Sequence, residues 1–315
     1  VTQTRANQLP LVSPGTIDHQ VADLSATFAA DVTLAAAQAK LREQNQWLPI
    51  DGDPEQTLGH LIERNSTGPL RLGFGAWRDL LLGVQFENGS GELITVGGRT
   101  VKNVAGYDLT KFMVGQFGIF GKIVTLTTRT YKVPDESLHA GFFPDLKTFN
   151  SLMVSPCRPQ WAALTKDALL CGYLGDKTTV NFYEMDIRQH RPVGVLRKTL
   201  DEEIEFRANL WRAQGPLTFR ASIPPARILD FVQSISDEKW VADPAFGVVI
   251  GSYDAIEESA VQRAAQKVGG SIVTFDASGQ PRNLKLDPPV RNLLDKLKLA
   301  FDADGKLAPL PIDAA

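Results

Sequence analysis

Residues Gly97–Val124, GGRTVKNVAGYDLTKFMVGQFGIFGKIV, carry six glycines, a Lys102-Asn103 pair and a Tyr107-Asp108 pair in one run. Glycine tolerates positive φ and lets a backbone approach its neighbours closely. A run this dense makes a poor uniform helix and a poor uniform strand. It reads as a binding turn around a short helix, Leu109–Val114, that Asp108 can cap. The turn then feeds a strand, Lys122–Tyr131, rich in β-branched residues. Period-two alternation puts Val124, Leu126 and Thr128 on one face and Ile123, Thr125 and Thr127 on the other. Gly115, Gly118 and Gly121 form GxxGxxG, which is neither the dinucleotide GxGxxG nor the P-loop GxxxxGK[ST]. Two readings of this spacing stand: a helix end bending into a strand, or open N–H groups facing an anionic or planar ligand.

Upstream of this run, Leu80–Phe86 and Glu92–Val96 flank Asn88-Gly89-Ser90-Gly91, a hairpin pattern. Thr33–Asn45 is the clearest helix, with Thr33 as cap and Leu34, Ala37 and Leu41 on one face. Asp51–Pro69 is loop with one helical turn at Leu58–Arg64. Residues 1–32 read as an extended lead-in, and the chain opens on Val rather than Met. After Pro134-Asp135-Glu136-Ser137, strands are expected at Leu138–Phe143, Trp161–Leu164, Leu169–Tyr173, Thr178–Met185, Leu217–Ser222, Phe246–Ile250 and Ile272–Phe275. Helices are expected at Asp145–Val154, Val193–Leu210, Pro225–Ser234, Ile256–Val268 and Pro289–Ala300. The alternation describes an α+β architecture with helices over one face of an antiparallel sheet.

The 315 residues are 43% apolar and 22% charged, with a net charge of −3, which describes a soluble globular protein of one large or two ordinary domains. No basic patch points to nucleic acid and no apolar run approaches a membrane span. Cys157 and Cys171 form no CxxC motif, so reduced cytoplasmic thiols are the default and no Cys-built metal site is expected. His19, His60, His139 and His190 are scattered without metal-ligand spacing, and no metal or catalytic group emerges.

The stretch VKNVAGYDLTKFMVGQFGIFGKIV resembles the second FAD-binding signature of the vanillyl-alcohol oxidase and p-cresol methylhydroxylase (PCMH) flavoprotein family. It is most similar to the pattern KNVAGYDLxxLxxGxxGxxGxI of the E-type FAD-binding subunits of bacterial glycolate oxidase. Thr57-Leu58-Gly59 resembles the family's TLGG turn, Trp77–Phe86 its RDLVLG strand, and Lys298–Pro309 its closing KxxFDPxGxxNPG. The match covers roughly residues 45–133 and the C-terminus.

That resemblance implies a PCMH-type FAD-binding domain over 33–134, a ferredoxin-like α+β cap domain over 135–285, and a segment 286–315 returning to the first domain. It implies FAD, with Thr57, Leu58 and Gly59 near the pyrophosphate. Asn103, Gly106 and Tyr107 would lie along the flavin or ribityl chain, and Gly118, Gly121, Lys122 and Ile123 at the adenine end. The partners implied are a catalytic flavin subunit and an iron–sulfur subunit of a glycolate-oxidase-type complex oxidising a small 2-hydroxy acid. The sequence departs from the family at its first Gly-rich loop, PxGxGT/S. Leu11–Thr16, LVSPGT, has no glycine pair, so the first FAD subdomain reads as reduced. His60 replaces the second glycine of TLGG, and Glu63 follows where small residues are usual. Each diphosphate hydrogen bond that is missing costs about 1.5–3 kcal/mol. Three readings stay open: an FAD-holding, electron-transferring subunit, a flavin-free structural homologue, and a self-sufficient 2-hydroxy-acid dehydrogenase.

Overall fold

Thr33 leaves an extended conformation and its hydroxyl accepts the Ala36 N–H, so the chain turns into a helix at Leu34. Local rules of this kind lay out the chain. The computed structural model describes residues 9, 12–99, 109–212, 218–235, 239–253, 258–277, 279–282 and 287–311. In chain order these residues form β1 (Ile17–Gln20), β2 (Ser25–Ala29), α1 (Leu34–Arg42), β3 (Gln46–Trp47), α2 (Leu58–Glu63), α3 (Arg71–Phe74) and α4 (Trp77–Leu80). Then come β4 (Leu81–Glu87), β5 (Leu93–Gly97), α5 (Leu109–Phe112), β6 (Lys122–Arg129), β7 (Tyr131–Lys132), β8 (Glu136–Phe142), α6 (Leu146–Val154), β9 (Trp161–Leu164) and β10 (Leu169–Gly175). The rest are α7 (Lys177–Ile187), β11 (Gly194–Lys198), α8 (Leu200–Arg212), β12 (Phe219–Ser222), α9 (Ile228–Ser234), β13 (Lys239–Asp243), β14 (Val248–Ser252), α10 (Glu258–Lys267), β15 (Ser271–Phe275), β16 (Pro281–Arg282) and α11 (Pro288–Phe301).

The chain divides into two compact units. The first is Val1–Thr67, Phe74–Val133 and Lys285–Leu310, and the second is Gly68–Gly73, Pro134–Leu284 and Pro311–Ala315. The first holds an antiparallel five-stranded sheet in the order β1-β2-β6-β4-β5. Its core joins Phe28, Val84, Phe86, Ile123 and Leu126 to Leu34, Leu41, Leu58, Leu61 and Trp77 from the helices. The expected split of β6 into two faces needs correction. Gln85 pairs with Thr125 and Phe86 with Ile123, so the register slips between them. A bulge adds one residue to a strand, and here it brings Ile123 into the same core as Leu126. The polar residues pair with one another: Thr27 Oγ1 lies 2.7 Å from Thr127 Oγ1, and Thr125 Oγ1 donates to Gln85 Oε1 at 2.7 Å.

The second unit holds an antiparallel nine-stranded sheet ordered β11-β8-β10-β9-β13-β14-β12-β15-β16. Alternate residues Leu138, Ala140, Phe142, Cys171, Tyr173, Phe219, Ala221 and Ala242 face a core built with Phe149, Val180, Phe231 and Val261. Period two therefore sends Ser137, His139, Arg220 and Asp243 to the opposite face.

Four sequence expectations are corrected. Thr178–Met185 is a helix rather than a strand: Asp176 caps α7 by accepting the Thr179 N–H at 2.8 Å, and Val180 and Ile187 are buried on one face, two turns apart. Val193–Leu210 is a strand followed by a helix, broken where Thr199 and Glu202 bond each other's backbone N–H. β13 lies where no element was expected, and the lead-in over 1–32 contains β1 and β2. β2 is buried at all five positions, yet SATFA has weak strand propensity; its place beside β6 decides its state.

Candidate functional site

Those of the expected cofactor residues that are described fall at the two ends of one short helix. At the start of α2, Thr57 Oγ1 accepts the His60 N–H, Leu58 N–H donates to Val32 O at 2.8 Å and Gly59 N–H to Ala30 O at 2.9 Å. Leu58 is fully buried. A Cβ on Gly59 would lie 2.9 Å from Ala30 Cβ and 3.0 Å from its oxygen, so close packing accounts for that glycine. At the other end of α2, the Gly-rich turn supplies the donors: Gly115 N–H to Ile62 O and Phe117 N–H to Glu63 O, both at 2.9 Å. A helix end leaves carbonyls without intrahelical partners, and the turn satisfies these two. Six residues span about 9 Å, so Thr57–Gly59 and the turn are held apart by the length of α2.

Within the turn, Gly115, Phe117 and Gly118 have positive φ of 82°, 54° and 75°. The Gln116 side chain closes the loop, accepting the Phe120 N–H at 2.9 Å and donating to Gly121 O at 2.8 Å. Gly121 is needed for packing, because a Cβ there would sit 2.5 Å from the Phe86 ring. Gly118 is different: the nearest atom to an added Cβ is Ala308 Cβ at 3.8 Å, an ordinary contact, so close packing does not account for this glycine. Lys122 is exposed, while Ile123 is in the core with its N–H 3.4 Å from Glu63 Oε1. Burial raises the Glu63 carboxyl above its ordinary range, opposed by the Ile123 N–H and by Arg64 and Lys122. Burial, with Arg64 second, lowers the His60 imidazole. Asn103, Gly106, Tyr107 and the capping Asp108 lie outside the described residues.

The chain's tail is laced to this turn. Lys298 Nζ donates to Ile119 O at 2.9 Å, to Ala308 O at 2.8 Å and to Asp302 Oδ2 at 2.6 Å. Asp302 in turn accepts the Lys306 and Leu307 N–H groups, and Gly89 N–H donates to Phe301 O. The Lys298 hydrogen bond is the leading reason the Asp302 carboxyl is held below its ordinary value. A depressed carboxyl stabilises the fold above its unfolded pKa, and that contribution is lost as pH falls through the folded one. Lys298→Met should therefore lower the melting temperature at neutral pH and shrink the loss on acidification below the ordinary carboxylate range. Equal melting curves for the variant and the parent at both pH values would refute that role. The Lys298–Asp302 spacing of four was legible as a helical pair; its three-way reach was not.

A second cluster, missed in sequence, lies on the polar face of the nine-stranded sheet. Glu203 and Arg207, four apart on α8, form an ion pair with side chains 0% and 2% exposed. Ser137 Oγ donates to Glu203 Oε2 at 3.1 Å, and His139 Nε2 lies 3.2 Å from the same oxygen. His139 meets Trp161 edge-on at 5.1 Å and Phe206 at 4.9 Å between ring centres. Burial first, then the charges of Lys198 and Arg207, holds its pKa down to about 3. The neutral ring therefore donates from Nε2 to the carboxylate. Both cysteines are buried free thiols, and burial pushes Cys157 up to about 11 and Cys171 higher still; such thiols are inert. Among the described residues no group of His, Cys, Asp or Glu is arranged to hold a metal, and no helix is long and apolar enough to cross a membrane.

No protein-family model matches the chain. The chain is similar over 307 residues to glycolate oxidase subunit GlcE of Escherichia coli (strain K12), at 23% identity, covering 94% of this chain and 83% of that protein. It is 31% identical over 108 residues to the mitochondrial cytochrome D-lactate dehydrogenase of Arabidopsis thaliana, covering 34% of this chain but 19% of that one. Among solved structures, alkyldihydroxyacetonephosphate synthase aligns with a TM-score of 0.64 at 15% identity, over 95% of this chain and 65% of that one. This likeness shows the fold, the α+β arrangement of the PCMH type expected from Gly97–Val124.

Proposed function

We propose that this chain is an FAD-holding, electron-transferring subunit of the glycolate-oxidase E type, working in the cytoplasm beside a catalytic flavin subunit and an iron–sulfur subunit. The observation that carries the reading is the similarity to GlcE along nearly the whole chain, together with the Gly-rich turn that led to the same family. When bound, FAD supplies acceptance of an electron pair from a 2-hydroxy acid and release of single electrons. The chain's residues would bind and orient it. Gly118 has positive φ, and no atom crowds the place of its missing Cβ more closely than Ala308 Cβ at 3.8 Å, as a backbone cradle for a flat or anionic group needs. Lys122 adds an exposed cation at the start of β6, and Gln116 and Lys298 fix the shape of the loop between them. Thr57, Leu58 and Gly59 would contribute the position of α2 rather than donors, since the Leu58, Gly59 and His60 N–H groups are already bonded within the chain.

Those spent donors favour a second reading, a flavin-free homologue that keeps the fold and its subunit contacts. The flavin absorbance bands of the purified chain, with and without added FAD, separate the two. The first reading expects a stoichiometric flavin spectrum. No spectrum and no binding up to about 100 μM FAD, a free energy of only some −5 to −6 kcal/mol, would leave the second.

A further inference from the structure

We infer that Asn88-Gly89 is a site of spontaneous covalent modification, conversion of the Asn88 amide to aspartate or isoaspartate, and that the tail segment seated on it keeps it unconverted. The inference stands apart from the flavin reading. Asn88-Gly89 is the one Asn-Gly step in the sequence. At such a step the glycine nitrogen attacks the asparagine Cγ. A C–N bond forms, the bond from Cγ to Nδ2 breaks, and ammonia leaves with the proton of the glycine nitrogen. Water then opens the five-membered imide at either carbonyl. One opening gives aspartate, and the other routes the chain through Cγ as isoaspartate. Glycine suits the attack because no side chain hinders its nitrogen and its backbone turns freely.

The structure withholds both reacting groups. Gly89 N–H donates to Phe301 O at 2.8 Å, so the tail holds the nitrogen. A Cβ on Gly89 would overlap Asp302 Oδ1 and lie 2.8 Å from Asp302 Cα, so the tail also presses on this residue. On the other side, Asn88 Oδ1 accepts the Ser90 N–H at 3.0 Å, the Ser90 hydroxyl at 2.7 Å and the Glu92 N–H at 2.9 Å. Its Nδ2 donates to Glu92 Oε2 at 3.2 Å. Those four bonds stay within the hairpin, whereas the hold on the nitrogen comes from α11. That hold is fixed in turn by Lys298, which bonds Asp302, Ile119 O and Ala308 O, and by the Phe301 ring among Phe86, Phe112 and Phe120.

Conversion changes what can sit on the hairpin. A new carboxylate stands where Nδ2 donated to Glu92, which sets two negative charges side by side. Isoaspartate adds a methylene to the backbone next to a glycine with no room for a Cβ. That product keeps the tail from reseating, and with it the Lys298 bond to Ile119 in the Gly-rich turn. A lasting release of the tail thus becomes irreversible.

Peptide mapping by mass spectrometry, during incubation of the full chain at mildly alkaline pH, measures the converted fraction. The folded parent is expected to convert far more slowly than the same chain unfolded in urea. Lys298→Met should convert about tenfold faster than the folded parent or more, because losing charge-assisted bonds raises local opening. Leu41→Ala, in the core of the same unit but on α1, should convert like the parent while folded. Equal rates in the folded parent and the urea-unfolded chain overturn the proposal, as does a Lys298→Met rate equal to the parent's. A Leu41→Ala rate as high as that of Lys298→Met overturns it too, since unfolding of the whole unit would then be the gate. Should Lys298→Met fail to fold, Asp302→Asn decides: a rate equal to the parent's removes the tail from control. The isoaspartate fraction should be cut by trypsin at Lys306 faster than the unconverted chain, and equal cutting overturns the irreversible release.

Discussion

Glu203→Ala should lower the stability of the second unit by about 3–5 kcal/mol, the range for removing one partner of a buried ion pair. The carboxylate has no exposure, and three side chains converge on it: Arg207, Ser137 and His139. Its loss takes from a guanidinium 2% exposed the carboxylate it is paired with, and breaking a buried pair on one side is far more costly than the pair was favourable. At about 2–4 °C per kcal/mol for a unit of this size, the melting transition should fall by roughly 6–20 °C. The paired replacement Glu203→Leu with Arg207→Met removes both charges and should recover much of the loss. A shift of the single variant below about 1 kcal/mol, the ordinary worth of an exposed pair, would show the cluster to be wet.

The same cluster sets a pH dependence. His139 has a pKa near 3 in the folded chain against 6.5 for a free imidazole. Between those values the unfolded chain binds the extra proton, so stability rises with pH and is lost on acidification from about 6.5 downward. From pH 7 to pH 5 this group alone should remove roughly 2 kcal/mol. The difference between parent and His139→Gln melting curves at the two pH values isolates it. A parent curve no steeper than that of His139→Gln contradicts the burial of a neutral ring.

How much of this was legible in sequence follows from what each signal measures. Gly97–Val124 pointed to the fold because a glycine with positive φ, or one pressed against backbone, has few substitutes. The hairpin at Asn88–Gly91 and the cap at Thr33 act within a few residues, and they appear where expected; the helix expected from Asp145 is there too, with Asp145 as its cap. α7 was misread because Thr178, Thr179 and Val180 favour a strand by propensity, whereas the Asp176 cap and the buried Val180 and Ile187 favour a helix. The Thr199–Glu202 box was present in the letters and marks the start of α8, but the apolar run from Val193 hid it. The cluster around Glu203 was not legible. It joins residues more than sixty positions apart, and nothing local in either segment announces the other.

Two glycines of the opening stretch should answer substitution in opposite ways. Gly97→Ala should destabilise the first unit by about 2–5 kcal/mol, combining a left-handed backbone of about 1–2 kcal/mol with overpacking of about 1–3 kcal/mol. Its φ is 79°, and an added Cβ would overlap the Leu82 carbonyl oxygen and sit 2.6 Å from Gly83 Cα and 2.9 Å from Thr110 Oγ1. The fold alone thus requires glycine at the end of β5, where Gly97 pairs with Gly83. Gly118→Ala meets no such wall. Its φ of 75° costs about 1–2 kcal/mol, and an added Cβ would meet Ala308 Cβ at an ordinary 3.8 Å. Close packing does not require glycine here, so under the proposed FAD-holding role a larger side chain should be felt by the ligand more than by the fold. Gly118→Val should accordingly reduce FAD occupancy in the purified chain by far more than its modest fall in melting temperature explains. Gly97→Ala should lose flavin only in step with unfolding. Comparing flavin content with melting temperature across the parent and these variants separates a glycine kept for the fold from one kept for the ligand. Full flavin occupancy in a folded Gly118→Val chain would remove this turn from the binding site.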